Sequence, residues 1–156
     1  MSREIAIRPT LEKDAEILSQ LIHDNAKATL ATFYTESQWD ALISYYSDDA
    51  MRDKISRQSI FCAVTKSEII GTIGLDDNLV VGFYTRVENF NQGVGSLMMR
   101  FLEKHAQEKG LKELQLAASP AALSFYFKNG WVKVKDIVSE YCGVAFNETL
   151  MTKKIE

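Results

Sequence analysis

Between Ser59 and Arg86 the chain reads as three short runs rich in β-branched and aromatic residues: Ser59 to Thr65, Glu68 to Leu75 and Leu79 to Arg86. Lys66-Ser67 and Asp76-Asp77-Asn78 separate them, and polar breaks this short between strand-like runs are hairpin turns. Strands joined by such turns run antiparallel, so the centre of the chain is neither helical nor an all-parallel sheet.

The flanks carry helical periodicity. Residues 3–8 alternate, with Ile5 and Ile7 on one face, and form a short first strand that Pro9 stops. Thr10 is placed to cap a helix running to about Lys27, whose apolar stripe is Ala15, Leu18, Leu21 and Ile22. Thr35-Glu36-Ser37-Gln38 is a capping box ahead of Trp39, Leu42, Ile43 and Tyr46, so a second helix begins near Glu36. Ser47-Asp48-Asp49 caps a third, short one through about Ile55. Beyond the hairpins, Gly95 to Lys109 reads as a long helix with Leu97, Met98, Phe101 and Leu102 inside and Gly110 as its left-handed stop. Leu111 to Ala117 is a strand, and Pro120 suits the first turn of a helix that runs to Asn129 and ends at Gly130. Trp131 to Val138 and Phe146 to Lys153 pair as a closing antiparallel hairpin. This order predicts an α/β fold with a mixed, mostly antiparallel central sheet and helices on both faces.

The chain has 156 residues, no linker-like tract and no repeat, which fits one domain spanning residues 1–156. Its 18 basic and 21 acidic residues give a net charge of −3, without the basic excess of a nucleic-acid binder. Cys62 and Cys142 form no CxxC pair and lie far in sequence from His23 and His105, so a structural zinc site has no support and reduced thiols are expected. Met1-Ser2-Arg3-Glu4-Ile5 opens no signal-peptide-like apolar run. No stretch approaches the ~20 apolar residues of a membrane span. The expectation is a cytoplasmic protein with no metal and no nucleic-acid or membrane partner.

Two segments carry chemistry. Phe90-Asn91-Gln92-Gly93-Val94-Gly95-Ser96 joins a strand to a helix. Its glycines permit a tight turn and close approach to a ligand, and the free N–H groups of the following helix start can hold a phosphate. Met98 stands where a dinucleotide fingerprint wants a third glycine, and no Gly-Lys-Ser/Thr follows, which excludes a Walker-type loop. By itself the segment is equally an ordinary strand-to-helix turn. The second segment, from Ala118 to Trp131, is a strand end, an amphipathic helix with Phe125 and Tyr126, and a strand opening on an aromatic.

In this order the two segments, with Ala122-x-x-Phe125-Tyr126-x-x-x-Gly130-Trp131, resemble the GNAT superfamily of N-acetyltransferases. The resemblance runs from Ile5-Ala6-Ile7-Arg8-Pro9-Thr10 and Asp14 to Leu150-Met151-Thr152-Lys153, and is most specific from Ile69-Ile70-Gly71 to Trp131. The family loop reads Q/R-x-x-G-x-G/A; Gly93-Val94-Gly95 matches it, and Phe90 occupies the Gln/Arg place. The resemblance implies a sheet splayed at its middle with acetyl-CoA in the gap. Thr85, Arg86 and Val87 would offer backbone groups to the pantetheine arm. Gln92, Gly93, Val94, Gly95 and Ser96 would hold the pyrophosphate. Ser119 would reach the pantetheine amides, and Tyr126 would lie near the coenzyme sulfur. A homodimer through the last strands is common in similar proteins.

The implied chemistry is direct attack of an amine on the thioester, with no metal and no covalent enzyme intermediate. A thiol has a pKa of about 8.5 and a phenol of about 10, so Tyr126 can protonate the departing sulfur while staying un-ionised at neutral pH. The expectation is that Phe125 faces the core while Tyr126, about 100° round the helix, points elsewhere. Glu88, Asp76 and Asp77 are candidate bases by their place at strand ends, a water chain is the alternative, and none is assigned. Phe33, Tyr34, Trp39, Tyr45 and Tyr46 either wall an acceptor pocket or pack helices on the sheet. His23 and His105 read as structural or solvated. The expected activity is acetyl transfer from acetyl-CoA to an amine on a small molecule or peptide. The alternatives are a non-catalytic acyl-CoA-binding or sensor module of the same fold, and an interaction domain whose loop binds no coenzyme.

Overall fold

A computed structural model describes residues 4–156. The charged start Met1-Ser2-Arg3, including the expected first residue of the opening strand, lies outside the described residues. Among the described residues there are seven strands: β1 (Ala6–Pro9), β2 (Ser59–Thr65), β3 (Glu68–Asp76), β4 (Leu79–Thr85), β5 (Glu113–Ala118), β6 (Val132–Tyr141) and β7 (Val144–Lys154). They form one open sheet in the order β1-β2-β3-β4-β5-β7-β6. The predicted meander is β2-β3-β4. Its first turn places Lys66 and Ser67 at φ of 50° and 66°, and its second places Asp77 at 53°, the left-handed backbone that tight hairpins use.

Among the described residues five helices cover both faces: α1 (Ala15–Leu30), α2 (Glu36–Tyr45), α3 (Asp48–Arg57), α4 (Val94–Glu108) and α5 (Leu123–Lys128). Strand alternation decides what each face meets. On β2, Ile60 and Cys62 pack with Leu18, Leu21 and Ile22 of α1, whereas Phe61 and Ala63 pack with Met98, Met99 and Leu102 of α4. Each fully buried aliphatic side chain of this kind contributes about 1.5–3 kcal/mol.

One sheet joint differs from the rest. β4 and β5 are the parallel pair, and they meet only at Leu79 and Gln115, where the Gln115 N–H donates to the Asn78 carbonyl at 2.9 Å. Beyond it β5 pairs with β7 from Glu113 to Ala118, and β4 stays with β3, so the sheet splays. A bulge in the β3–β4 ladder, between the Thr72/Tyr84 and Gly74/Val81 pairs, adds a residue to β4 beside Gly82 at φ 57°. A bulge bends its strand and leaves the extra residue out of the ladder.

Several element edges differ from the sequence expectation. Thr10 does not cap α1. Glu12–Asp14 form a 3₁₀ turn first, because the Asp14 carboxylate accepts the Leu11 N–H at 2.8 Å and ties the turn to Arg8 at 2.9 Å; the helix begins at Ala15 and runs past Lys27 to Leu30. Pro120 opens a separate 3₁₀ turn, Pro120–Ala122, which leaves α5 only six residues. In α4 Met99 is buried and Leu97 is half-buried. The last hairpin is longer than expected: β6 reaches Tyr141 and β7 starts at Val144, joined by Cys142 and Gly143 at φ of 49° and 78°. Gly143 is a turn residue by composition, but Cys142 beside it is not, so the turn carried a single-glycine signal only.

Asp14→Ala is expected to cost about 2 kcal/mol, since it removes a charged hydrogen bond and a turn cap. The Arg8 guanidinium holds the Asp14 carboxyl below its usual range. A depressed folded-state pKa stabilises above the unfolded value and ceases to do so as pH falls through the folded one. Urea unfolding should therefore show the deficit at neutral pH and its disappearance well below about pH 4. Equal neutral-pH midpoints would mean that Asp14 carries no such weight.

Candidate active site

The parting of β4 and β5 opens a cleft of about 650 Å³. That lies within the ~300–1,000 Å³ typical of small-molecule sites. β4 lines one wall and Leu116, Ala117 and Ser119 line the other. Alternation along β4 sends Phe83 toward the α4 face, where it meets Phe125 and Tyr126 with ring centroids at 5.6 and 6.2 Å. It sends Tyr84 toward the α1 face, where it meets Tyr46 at 5.5 Å. The cleft therefore has walls contributed from both faces of the sheet.

The start of α4 opens onto this cleft. Gly93 is its N-cap at φ 78°, a left-handed conformation in which a side chain is strained. No side chain caps the helix and its first turn holds no acidic residue. The first N–H groups of a helix have no intrahelical acceptor and sit at the positive end of its dipole. Gly93, Val94, Gly95 and Ser96 line the cleft, with the Val94 side chain buried in the core beneath. A Cβ at Gly95 would sit 3.4 Å from Phe83 and 3.6 Å from Phe125, so the space in front of this backbone is bounded by two rings. An uncapped helix start with glycine at its approach suits a diphosphate.

The remaining expected coenzyme residues are distributed unevenly. Thr85 lines the cleft, but its carbonyl accepts a 2.6 Å hydrogen bond from Asn25 of α1. Ser119 lines it at the head of the Pro120 turn. Val87 and Gln92 do not line it. Val87 starts a 3₁₀ turn, and Gln92 accepts from Asn89 at 3.3 Å and donates to the Glu88 carbonyl at 3.5 Å. Phe90 is half-buried on the cleft wall.

Tyr126 and Phe125 take the opposite parts to those expected from helix geometry. Tyr126 is the buried one, 7% exposed and packed 5.9 Å from Trp131, and Phe125 is half-buried. Tyr126 still lines the cleft, and among the described residues nothing in the protein hydrogen-bonds its hydroxyl. Burial, with the Glu148 charge adding to it, pushes this phenol well above its ordinary range.

Asp76, Asp77 and Glu88 are exposed and off the cleft. The carboxylate that does line it is Glu148 on β7, which accepts from the Tyr141 hydroxyl at 2.6 Å. Neither was singled out from sequence. Alternation from Phe146 places Glu148 on the same strand face, a signal available once that strand is drawn. Of the early aromatics, Tyr34, Tyr45 and Tyr46 line the cleft, Trp39 of α2 packs against the cluster that includes Leu18, Leu21 and Ile22 of α1, and Phe33 is exposed. His105 packs between Phe61 and Phe101, and burial holds it below the ordinary imidazole range, against the cationic form that a helix C-terminus would favour. Among the described residues no group of three or more His, Cys, Asp or Glu could hold a metal, and no helix is long and apolar enough to cross a membrane.

Residues 30–153 match the family model described as an acetyltransferase (GNAT) domain. No curated protein matches the chain in sequence. Among solved structures it is similar to a GCN5-related N-acetyltransferase of Rhodopseudomonas palustris, with 24% identity, 99% of this chain and 98% of that one covered, and a TM-score of 0.90. It is also similar to the PaiA N-acetyltransferase of Thermoplasma acidophilum, solved in complex with coenzyme A, with 24% identity, coverage of 97% and 99%, and a TM-score of 0.81. The apo form of YjaB from Escherichia coli follows with 18% identity, coverage of 96% and 97%, and a TM-score of 0.76. At these identities the structural likeness shows the fold.

Proposed function

The chain belongs to the GNAT acetyltransferase family, and on that premise we propose that it transfers an acetyl group from acetyl-CoA directly to an amine. The observation that carries this is the uncapped, glycine-approached start of α4 opening into the splay between β4 and β5, with Tyr126 lining the same cleft. A thioester supplies the activated acyl group when acetyl-CoA is bound. Backbone N–H groups of Gly93, Val94, Gly95 and Ser96 hold its diphosphate, and Ser119 serves the pantetheine arm. The β4 bulge leaves backbone there outside the ladder to face the acyl end, a role that the engaged Thr85 carbonyl is not free to take. Val87 and Gln92 lie off the wall and are left out of these contacts. Tyr126 holds its proton toward the leaving sulfur.

Gly95→Val tests the loop. Its Cβ takes the space bounded by Phe83 and Phe125, and its methyl groups crowd the approach to the helix start. Calorimetry is expected to show CoA binding to the wild type and at least about tenfold weaker binding to the variant, because close backbone approach is lost. Unchanged affinity in a folded Gly95→Val protein would remove the loop from the site. Thiol release from acetyl-CoA with a panel of amines tests transfer itself; CoA binding without any release would favour the sensor reading.

A further inference from the structure

Part of the cleft wall is an unbroken chain of rings. Tyr34 meets Phe146 at 5.1 Å, Phe146 meets Tyr141 at 5.2 Å, Tyr141 meets Tyr45 at 4.8 Å, Tyr45 meets Tyr46 at 4.9 Å and Tyr46 meets Tyr84 at 5.5 Å. All six line the cleft. Plain packing accounts for rings between helices and sheet, but it does not account for the carboxylate among them. Glu148 is half-buried and, among the described residues, is the only acidic or basic side chain on the cleft wall. Its partner is a neutral phenol, Tyr141.

Lys54, a cation that lies against two of these rings, is engaged by Tyr45. Its Nζ lies 3.7 Å over the Tyr45 ring and donates to the Tyr45 carbonyl at 2.6 Å, and Lys54 lines a separate small hollow behind Tyr45 and Tyr46. The field of Glu148 is felt across the wall. It adds to burial in pushing the Tyr34 phenol up to about 12, and it acts in the same direction on Tyr45, Tyr46 and Tyr141. Among the described residues no cation pairs with Glu148, and a half-buried carboxylate so placed is an ionic site that lacks its other half.

We propose that this wall takes the acetyl acceptor as a cation: a small aliphatic ammonium without a carboxylate, paired with Glu148 and surrounded by tyrosine rings. The reaction rests on the acetyl-transfer reading: the bound ammonium first gives up one proton through water to solvent, the free amine then forms the C–N bond, and the C–S bond breaks to release the coenzyme as its thiol; the recognition does not depend on that step. Ring faces attract an alkylammonium ion, and the attraction grows as water is excluded. An acceptor that also carried a carboxylate would bring a second negative charge to a wall with no Lys or Arg among the described residues to receive it, and such a mismatch excludes as effectively as a clash. Tyr141 is a positioning residue, since its hydroxyl fixes one Glu148 oxygen.

The test compares n-butylamine, an ammonium ion at neutral pH, with 4-aminobutyrate, which has a similar amine-bearing chain and a carboxylate besides. Saturation-transfer NMR titrations of the full chain, with and without CoA, give a Kd for each. Butylammonium is expected to bind at least about tenfold more tightly, and Glu148→Gln to reduce that preference to within about twofold while CoA affinity holds. Tyr141→Phe keeps the ring and is expected to weaken butylammonium by about threefold without affecting 4-aminobutyrate, so the proposal stands or falls even where Glu148→Gln does not fold. Equal or tighter binding of 4-aminobutyrate, a preference that survives in folded Glu148→Gln, an unaltered butylammonium Kd in Tyr141→Phe, or no binding of either amine would overturn it. Failure of the acetyl-transfer reading shows separately, as absent CoA binding or absent thiol release, and leaves the comparison of the two amines intact.

Discussion

Tyr126→Phe is expected to lower kcat by about 10²–10³-fold while CoA affinity stays within about twofold. The substitution removes one oxygen and keeps the ring that packs on Trp131 and Phe83. The size of the effect follows from the environment. General acid catalysis is worth about 10²–10⁴-fold when the acid is matched to its task. Here burial has pushed the phenol well above its ordinary range, so complete transfer to a thiolate runs uphill. The larger part of the contribution is then a hydrogen bond donated to charge developing on sulfur, and removing one such donor costs the lower part of that range. The sign of the pH effect also follows. A raised pKa keeps Tyr126 protonated to higher pH, so its ionisation cannot produce a fall in kcat below about pH 10. Steady-state rates across pH check both points. A variant within about threefold of wild-type kcat, with chemistry rate-limiting, would end the assignment.

What the sequence made legible was chemistry contained within a few residues. The Thr35–Gln38 capping box is an example. The Thr35 N–H donates to the Gln38 side chain at 3.0 Å, and the Gln38 N–H donates to the Thr35 hydroxyl at 3.2 Å. Both bonds lie within four residues, so no tertiary knowledge was needed to place the start of α2. The β2-β3-β4 meander and the Gly93 turn were legible for the same reason.

Glu148 and Tyr141 were not legible, because their meeting depends on register. β7 must pair with β5 so that Ala118 faces Thr149, and with β6 across the Cys142-Gly143 turn, before the Tyr141 hydroxyl reaches the Glu148 carboxylate. Slipping either pairing by one residue would turn Glu148 to the other face. Tyr126 stands between these cases. Helix geometry separates it from Phe125 by about 100° but does not say which of the two meets the core. That is settled by Trp131, whose ring packs on Tyr126 and whose backbone N–H donates to the Tyr126 carbonyl at 3.0 Å.

Trp131→Ala is accordingly expected to cost about 3–5 kcal/mol, a large share of the ~5–15 kcal/mol that holds a typical domain together. Trp131 is 2% exposed, follows Gly130 at φ 89°, and belongs to the cluster that α4, β5 and β7 build on one face of the sheet. Truncation leaves a cavity the width of an indole under the residue proposed to act on the leaving sulfur. Trp131→Phe separates the two consequences. Among the described residues the buried indole Nε1 has no hydrogen-bond partner, so phenylalanine loses volume but also removes an unsatisfied donor, and the two effects offset in part. The expected cost is about 1–2 kcal/mol, with Tyr126 still backed by a ring. Urea unfolding followed by far-UV circular dichroism gives both values. If Trp131→Ala cost less than about 1 kcal/mol, the indole would be no part of the core, and Tyr126 would owe its placement to something else.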